Sequence, residues 1–363
     1  MEAFNDIFED CTNLGTKILK EDYLTEGKHI VIDQGQKTIA GYTDLEEGLY
    51  EDVPAIIFGD HTRIIKYVDE PFFLGADGVK LLKSKRKDAN YKYLYYALKN
   101  ARIPDTGYNR HFKWLKEISI EYPDCGKQQD IVNVLDKISL IIEKRNLELE
   151  VLDELIKARF VELFGDPIHN EKGWETAAVE SVCKEIFGGG TPSKSHPEYY
   201  ENGDIPWVSS KDMKTDVLTE SQIYINQKGV DNSTARMVPV NSVIMVIRSG
   251  ILKHTLPVAI NAVPVTVNQD LKVFIPGESM LTRFMAVQFK MQEADILSGV
   301  RAVTADNIEF NSLKQRAMIV PPIELQKEYV DFLEQVDKSK VAVQKALDET
   351  QMLFESLMQE YFG

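Results

Sequence analysis

The chain has 363 residues, 44% hydrophobic and 27% charged, enough for two or three domains and unlike a disordered, collagenous or low-complexity fibre. Its 42 basic and 57 acidic residues give a net charge of −15, against the basic balance usual in a lone nucleic-acid binder. The three cysteines, Cys11, Cys125 and Cys183, are too scattered for a disulfide framework or a metal knuckle. No apolar run is long enough to span a membrane and the start has no secretory pattern, so a soluble, cytoplasmic chain is expected.

In chain order, short apolar runs at 29–33, 55–58 and 64–68 are separated by Gly35, Gly41, Gly48 and Gly59, which is strand-and-turn punctuation. Residues 91–100 read as a helix. From Gln128, apolar residues recur at spacings of three and four: Ile131, Leu135, Ile138, Ile142, Leu149, Leu152, Ile156 and Leu163, with Arg145 and Arg159 in two seam positions. That is the coiled-coil period. Residues 238–248 and 263–275 then read as strands and 280–291 as a helix. A second seam follows: Tyr329, Leu333, Val336, Val343, Leu347, Phe354, Leu357 and Tyr361, broken by Lys340 and Thr350. Pro123 and Pro321-Pro322 precede the two seams, where proline is tolerated at a helix start. Neither seam contains proline or glycine, and each predicts a rod of roughly 55 Å.

The two seams belong to an internal repeat. At a shift of 198, 14 identities fall within residues 106–165, among them Phe112/Phe310, Pro123/Pro321, Gln128/Gln326, Leu135/Leu333, Leu155/Leu353 and Phe164/Phe362. A weaker echo at a shift of 175 relates residues 4–16 to 179–191. The layout is therefore a first globular domain, 1–122, a spacer helix, 123–165, a second globular domain, 166–320, and a second spacer helix, 321–363. The net charges of these segments are −4, −3, −3 and −5. The long segments are near neutral, which permits a local basic patch on either. The fold class is α+β, with the two helices expected to pack as a coiled coil in a pseudo-twofold arrangement.

No catalytic set emerges. Phe187-Gly-Gly-Gly-Thr191 faintly resembles an adenosylmethionine-binding loop, but the companion motif that grips an extruded adenine is missing. The same glycines fail the phosphate-loop spacing. The six histidines form no ligand-spaced pair, so neither a metal nor a catalytic residue is assigned.

Gly189-Gly-Thr-Pro-Ser-Lys194, Tyr199-Tyr200 and the run from Gly203 through Ile205-Pro-Trp-Val to Ser209 resemble the opening of a target-recognition domain. So do Asn268-Gln-Asp-Leu-Lys272, Val320-Pro-Pro-Ile-Glu-Leu-Gln326 and Phe362-Gly363. The match is to the specificity subunits of type I restriction-modification systems, and the order of domain, helix, domain, helix fits it over essentially the whole chain. The first half lacks the Thr-Pro-Ser and Ile-Pro-Trp signatures and reads as a different domain type.

The resemblance implies a non-catalytic reader of double-stranded DNA with a bipartite, asymmetric target. The helices would set the gap and dock two modification subunits, which would carry the S-adenosylmethionine. Restriction subunits would join for cleavage, and no membrane or bound cofactor of its own is expected. Base-reading side chains are sought among polar and basic loop residues. In the first domain these are Gln36, Lys37, His61, Arg63, Tyr108, Asn109 and Arg110. In the second they are Thr191, Ser193, Lys194, Ser209, Ser210, Lys211, Arg248, Lys253 and Arg301. The same positions also suit ordinary solvated turns. Lys83-Ser-Lys-Arg-Lys87 reads as a phosphate contact or a solvated turn, and Trp207 as core. Two other functions compete: a self-contained methyltransferase and a coiled-coil adaptor with no DNA role.

Overall fold

A computed structural model describes residues 1–75, 78–107, 109–302 and 306–363, with 301 and 302 described in backbone only. It contains two compact units, Met1–Glu148 with Val343–Gly363, and Leu149–Ala342.

In the first unit a four-stranded antiparallel sheet runs in the order Phe8–Asp10, Val79–Ser84, Ala55–Gly59, Ile65–Val68. A second sheet sets His29–Ile32 between Gly41–Thr43, antiparallel, and Phe72–Leu74, parallel. The continuous apolar run at 55–58 follows from burial of both faces of its sheet. Ile56 and Phe58 pack with Phe4, Phe8, Tyr93 and Leu94, while Ala55 and Ile57 turn to Ile30, Ile32, Phe72 and Leu74. The alternate side chains thus supply two cores from one strand. Helix Tyr91–Lys99 covers the first of them, its amide end capped by the Asn90 side chain, which accepts from Tyr93 N.

The second unit repeats this plan. Its larger sheet runs Cys183–Gly188, Leu271–Pro276, Val243–Val246, Val258–Asn261, Val217–Leu218. Its smaller one sets Ile205–Val208 between Tyr224–Ile225, antiparallel, and Val265–Val267, parallel, with Met237–Val238 beyond. Helix Thr282–Met291 takes the place of Tyr91–Lys99. The equivalence reaches single hydrogen bonds. Phe4 N donates to Ile118 O at 3.0 Å, and Val179 N donates to Arg316 O at 2.9 Å. Lys85 N donates to Ile7 O at 2.7 Å, and Gly277 N donates to Val182 O at 2.8 Å. The first domain, expected to be of a different type, therefore has the same fold as the second. The two share the strand plan with few sequence identities, even in the strands themselves.

Two of the expected single strands are broken. Residues 238–248 divide at a turn in which Asn241 adopts a left-handed backbone, φ 63°. Residues 263–275 divide at 268–270, where Asn268 N donates to Val208 O at 2.9 Å and the Asn268 side chain accepts from Asp270 N at 3.1 Å. Asparagine tolerates such local bonding at little cost, so hydropathy alone reads through it.

Both long helices form, Cys125–Phe164 and Ile323–Phe362, each 40 residues and about 60 Å long. Within each unit the two run antiparallel. In the first, Ile131, Val132 and Leu135 meet Phe354, Leu357, Met358 and Tyr361. In the second, Arg159 pairs with Glu328 at 2.9 Å, Lys340 pairs with Asp153, and Tyr329 OH donates to Ile156 O at 3.0 Å. Two of the polar breaks in the apolar seam are thus ion pairs between the helices. Phe160 and Phe164, outside the expected seam, are fully buried. They pack against Phe284 and Tyr329 at centroid distances of 4.8–5.7 Å, edge to face in all but the Phe160–Phe284 pair. The last turns of this helix thus pack on both the second domain and the other long helix. Phe362 meets Tyr93 at 5.3 Å in the equivalent place of the first unit.

Candidate nucleic-acid interface

In the first unit several segments meet at one end of the sheets: 33–38, which follows His29–Ile32, 59–64, the turn at Gly78, and 103–107 with 109–111. Gln34 ties two of them, its Oε1 accepting from His61 N at 3.1 Å and its carbonyl from Thr62 Oγ1 at 2.7 Å. Asp60 ties two more: its N–H donates to Gly78 O at 2.7 Å and its carboxylate accepts from Phe112 N at 2.7 Å. The fully buried His111 approaches the Asp60 carbonyl with Nδ1 at 3.0 Å.

On this base stand the residues singled out from sequence. Gln36 and Lys37 are exposed on 33–38, and His61 and Arg63 are partly exposed on 59–64. Arg63 holds a left-handed backbone, φ 61°, kept by its N–H donating to Gly59 O at 2.7 Å. A non-glycine residue in that region marks a strained loop, common at functional positions. The Arg63 guanidinium reaches Asp105 at 2.7 Å. The Gly107 N–H, and after it this guanidinium, hold the Asp105 carboxyl below its ordinary range. Asn109 and Arg110 are exposed beside it, and Tyr108 lies outside the described residues. Behind the loops Lys66 is buried against Lys37 O at 2.6 Å and Asp33 at 3.5 Å. Burial pulls its ammonium down, partly offset by Asp33.

The second unit places its cluster at the corresponding end. Thr191 Oγ1 donates to Gln269 Oε1 at 2.5 Å. Ser209 N and Oγ both donate to Asp212 at 2.8 Å, which fixes the turn that presents Ser210 and Lys211. Arg248 grips Asp270 through Nε at 2.7 Å, and Lys253 lies 3.8 Å from Asp306. Loops 189–195, 209–212, 248–254 and 268–270 are brought together here. Ser193 bonds Ser195, hydroxyl to hydroxyl, at 2.7 Å. Lys194 and Lys211 are exposed and make no ion pair among the described residues. Arg301 lies on a short strand, Arg301–Ala302, described in backbone only. Sequence reading missed Gln269 and Asp270 as loop contacts, although both lie in a motif it had quoted.

Three other sequence features take structural roles. The glycines of 187–191 answer to close packing: a Cβ on Gly189 would stand 1.7 Å from Val267 O, and Gly190 O accepts from Trp207 Nε1 at 2.9 Å. Trp207, 8% exposed, is core. In the 83–87 run, Lys83 donates to Asp52 O and Pro54 O, Lys85 donates to Asn5 O, and Arg86 pairs with Glu2. Those cations are committed internally, at the end of their strand away from the loop cluster.

Among the described residues there is no group of three or more metal-ligating side chains and no disulfide. Burial pushes the Cys183 thiol up to about 12, which makes it a poor nucleophile. No helix of the described residues is long and apolar enough to cross a membrane. The two loop clusters offer amides, hydroxyls and guanidinium groups on a rigid base, the chemistry that reads base edges.

Comparison with known proteins gives a consistent answer. The family model for the type I restriction modification DNA specificity domain matches residues 3–151 and 171–350, once in each half. The EcoR124I/EcoR124II specificity subunit of Escherichia coli is 31% identical over 322 residues, covering 85% of this chain and 79% of that protein. The MjaIX specificity subunit of Methanocaldococcus jannaschii is 25% identical over 228 residues, covering 57% of this chain and 51% of that protein. Among solved structures, the type I restriction-modification S subunit from M. genitalium shares the fold, with a TM-score of 0.61 at 16% identity over 100% of this chain and 95% of that one. With a duplicated framework, two divergent loop clusters and two long helices, the chain belongs to the type I restriction-modification DNA specificity family.

Proposed function

We propose that this chain reads a bipartite, asymmetric DNA target, one half through each loop cluster, as the non-catalytic subunit of a type I restriction-modification complex. The observation that carries the reading is the repetition itself. Two units share a core strand order, to which the second adds one edge strand per sheet, and present at the same end of it loops unlike in sequence, as a reader of two different half-sites requires. We take 1–122 and 166–320 as the reading domains and 123–165 and 321–363 as the spacer helices. The base-reading candidates are the sixteen side chains named from sequence, with Gln269 added.

Leu155 and Leu353 support docking of two copies of one partner. They are identical at equivalent positions of the repeat, and both are exposed, 43% and 51%. An apolar side chain retained in both copies outside any core fits a contact made twice. The partners would be modification subunits, which would hold adenosylmethionine and methylate adenine, with restriction subunits added for cleavage. This division also accommodates the charge of −15. Phosphate neutralisation can come from the partners, and acidic helices complement basic partner surfaces.

The test is a gel shift with the chain co-expressed with its modification subunit, alongside calorimetry of the chain alone with adenosylmethionine. A sequence-specific shift by the complex and no heat from the chain are expected. Heat of binding would favour a self-contained methyltransferase, and absence of any specific shift would favour an adaptor.

A further inference from the structure

The two halves share few identities, yet one buried polar residue recurs in the same role. Gln128 and Gln326 are each 0% exposed, in the first turn of their long helices. Gln326 Nε2 donates to Pro321 O at 2.8 Å and to Ser279 O at 2.9 Å, while its Oε1 accepts from Leu281 N at 2.9 Å. Gln128 Nε2 donates to Pro123 O at 2.8 Å, and its Oε1 accepts from Asn90 N at 3.4 Å. Leu281 and Asn90 are the N-cap residues of Thr282–Met291 and Tyr91–Lys99, the equivalent helices that cover the larger sheet of each unit. Each glutamine therefore bonds the start of a long helix to the start of a domain helix. A second tie lies further along: Lys92 pairs with Asp136 at 2.6 Å, and Arg283 pairs with Asp337.

Packing alone does not call for a glutamine at either place. A buried amide is costly unless every group on it is bonded, and an apolar side chain of similar length would fill the space. What the amide adds is direction. Apolar contacts tolerate sliding and rotation, whereas hydrogen bonds of fixed geometry to two backbone segments, three at Gln326 and two at Gln128, do not.

We infer that Gln326 and Gln128 are positioning residues: each locks the angle between a reading domain and the long helix that follows it, and thereby sets how strictly the complex measures the gap between half-sites. The inference rests on the proposed function, since it concerns the gap of a bipartite target.

The experiment expresses the full chain with its modification subunit in a host lacking adenine methylation and reads the methylated motif by single-molecule sequencing. Wild type should write one motif with one gap length. Gln326→Met should write the same two half-sites, with sites whose gap is one base pair longer or shorter rising about tenfold, the scale of losing one or two buried hydrogen bonds. Val243→Ala, a core truncation in the sheet of the same unit, should lower stability and leave the gap strict. If Gln326→Met does not accumulate as a folded complex, Gln128→Met, whose clamp includes the longer 3.4 Å contact, carries the decision. An unchanged single gap in the folded variant would overturn the inference, as would blurred half-sites or equal relaxation by Val243→Ala. No methylated motif from wild type would instead sink the proposed function.

Discussion

Asp60 shows how little of a loop cluster is chosen for contact and how much for support. It is 4% exposed, and its carboxylate accepts from Phe112 N while its backbone joins Gly78 and His111. Asp60→Ala would leave the Phe112 N–H without its charged acceptor and should cost about 1.5–3 kcal/mol. Urea unfolding checks the stability, and the methylated motif should weaken in one half only. Sequence reading singled out the partly exposed neighbours His61 and Arg63 by their chemistry, but the supporting role of Asp60 gives no signal in one sequence. Its role depends on His111 and Phe112, about fifty positions away. The glycines of 187–191 illustrate the converse. Their pattern is plain in the sequence, but its cause, the approach of the Val267 carbonyl to Gly189, exists only in the fold.

At the scale of elements, the long helices were the most legible features and the sheets the least. A period of three and four sustained over ten turns has no other simple explanation, and the helix bounds differ from expectation by only a few residues. The strands are short, several of two to four residues, and their pairing is non-local, so 238–248 and 263–275 read as unbroken. Phe160 and Phe164 escaped the seam because the helix ends where the second domain and the other long helix meet, so Phe284 and Tyr329 together bury a further face of it. The ion pairs Arg159–Glu328 and Lys340–Asp153 give the seam a register that apolar contacts alone leave open. Inserting four residues within 140–150 would move the helix on by about one turn, 6 Å. The expected result, read from the methylated motif, is a changed gap with both half-sites preserved. Changed half-sites would contradict the spacer role of that segment.

For the whole molecule, the duplication is the organising fact. It was visible as a thin set of identities at shifts of 198 and 175. In the structure it extends to strand order, domain helix, backbone hydrogen bonds and the buried glutamines. The framework repeats because two units must each hold a long helix in the same way, and the loops diverge because nothing in the framework constrains their tips. The domain exchange that follows from this tests the account most directly: replacing residues 166–320 with the corresponding domain of another family member, and sequencing the methylated adenines written by the complex. One half of the motif should change to that of the donor while the other half and the gap stay as they were. A motif altered in both halves, or in neither, would contradict it.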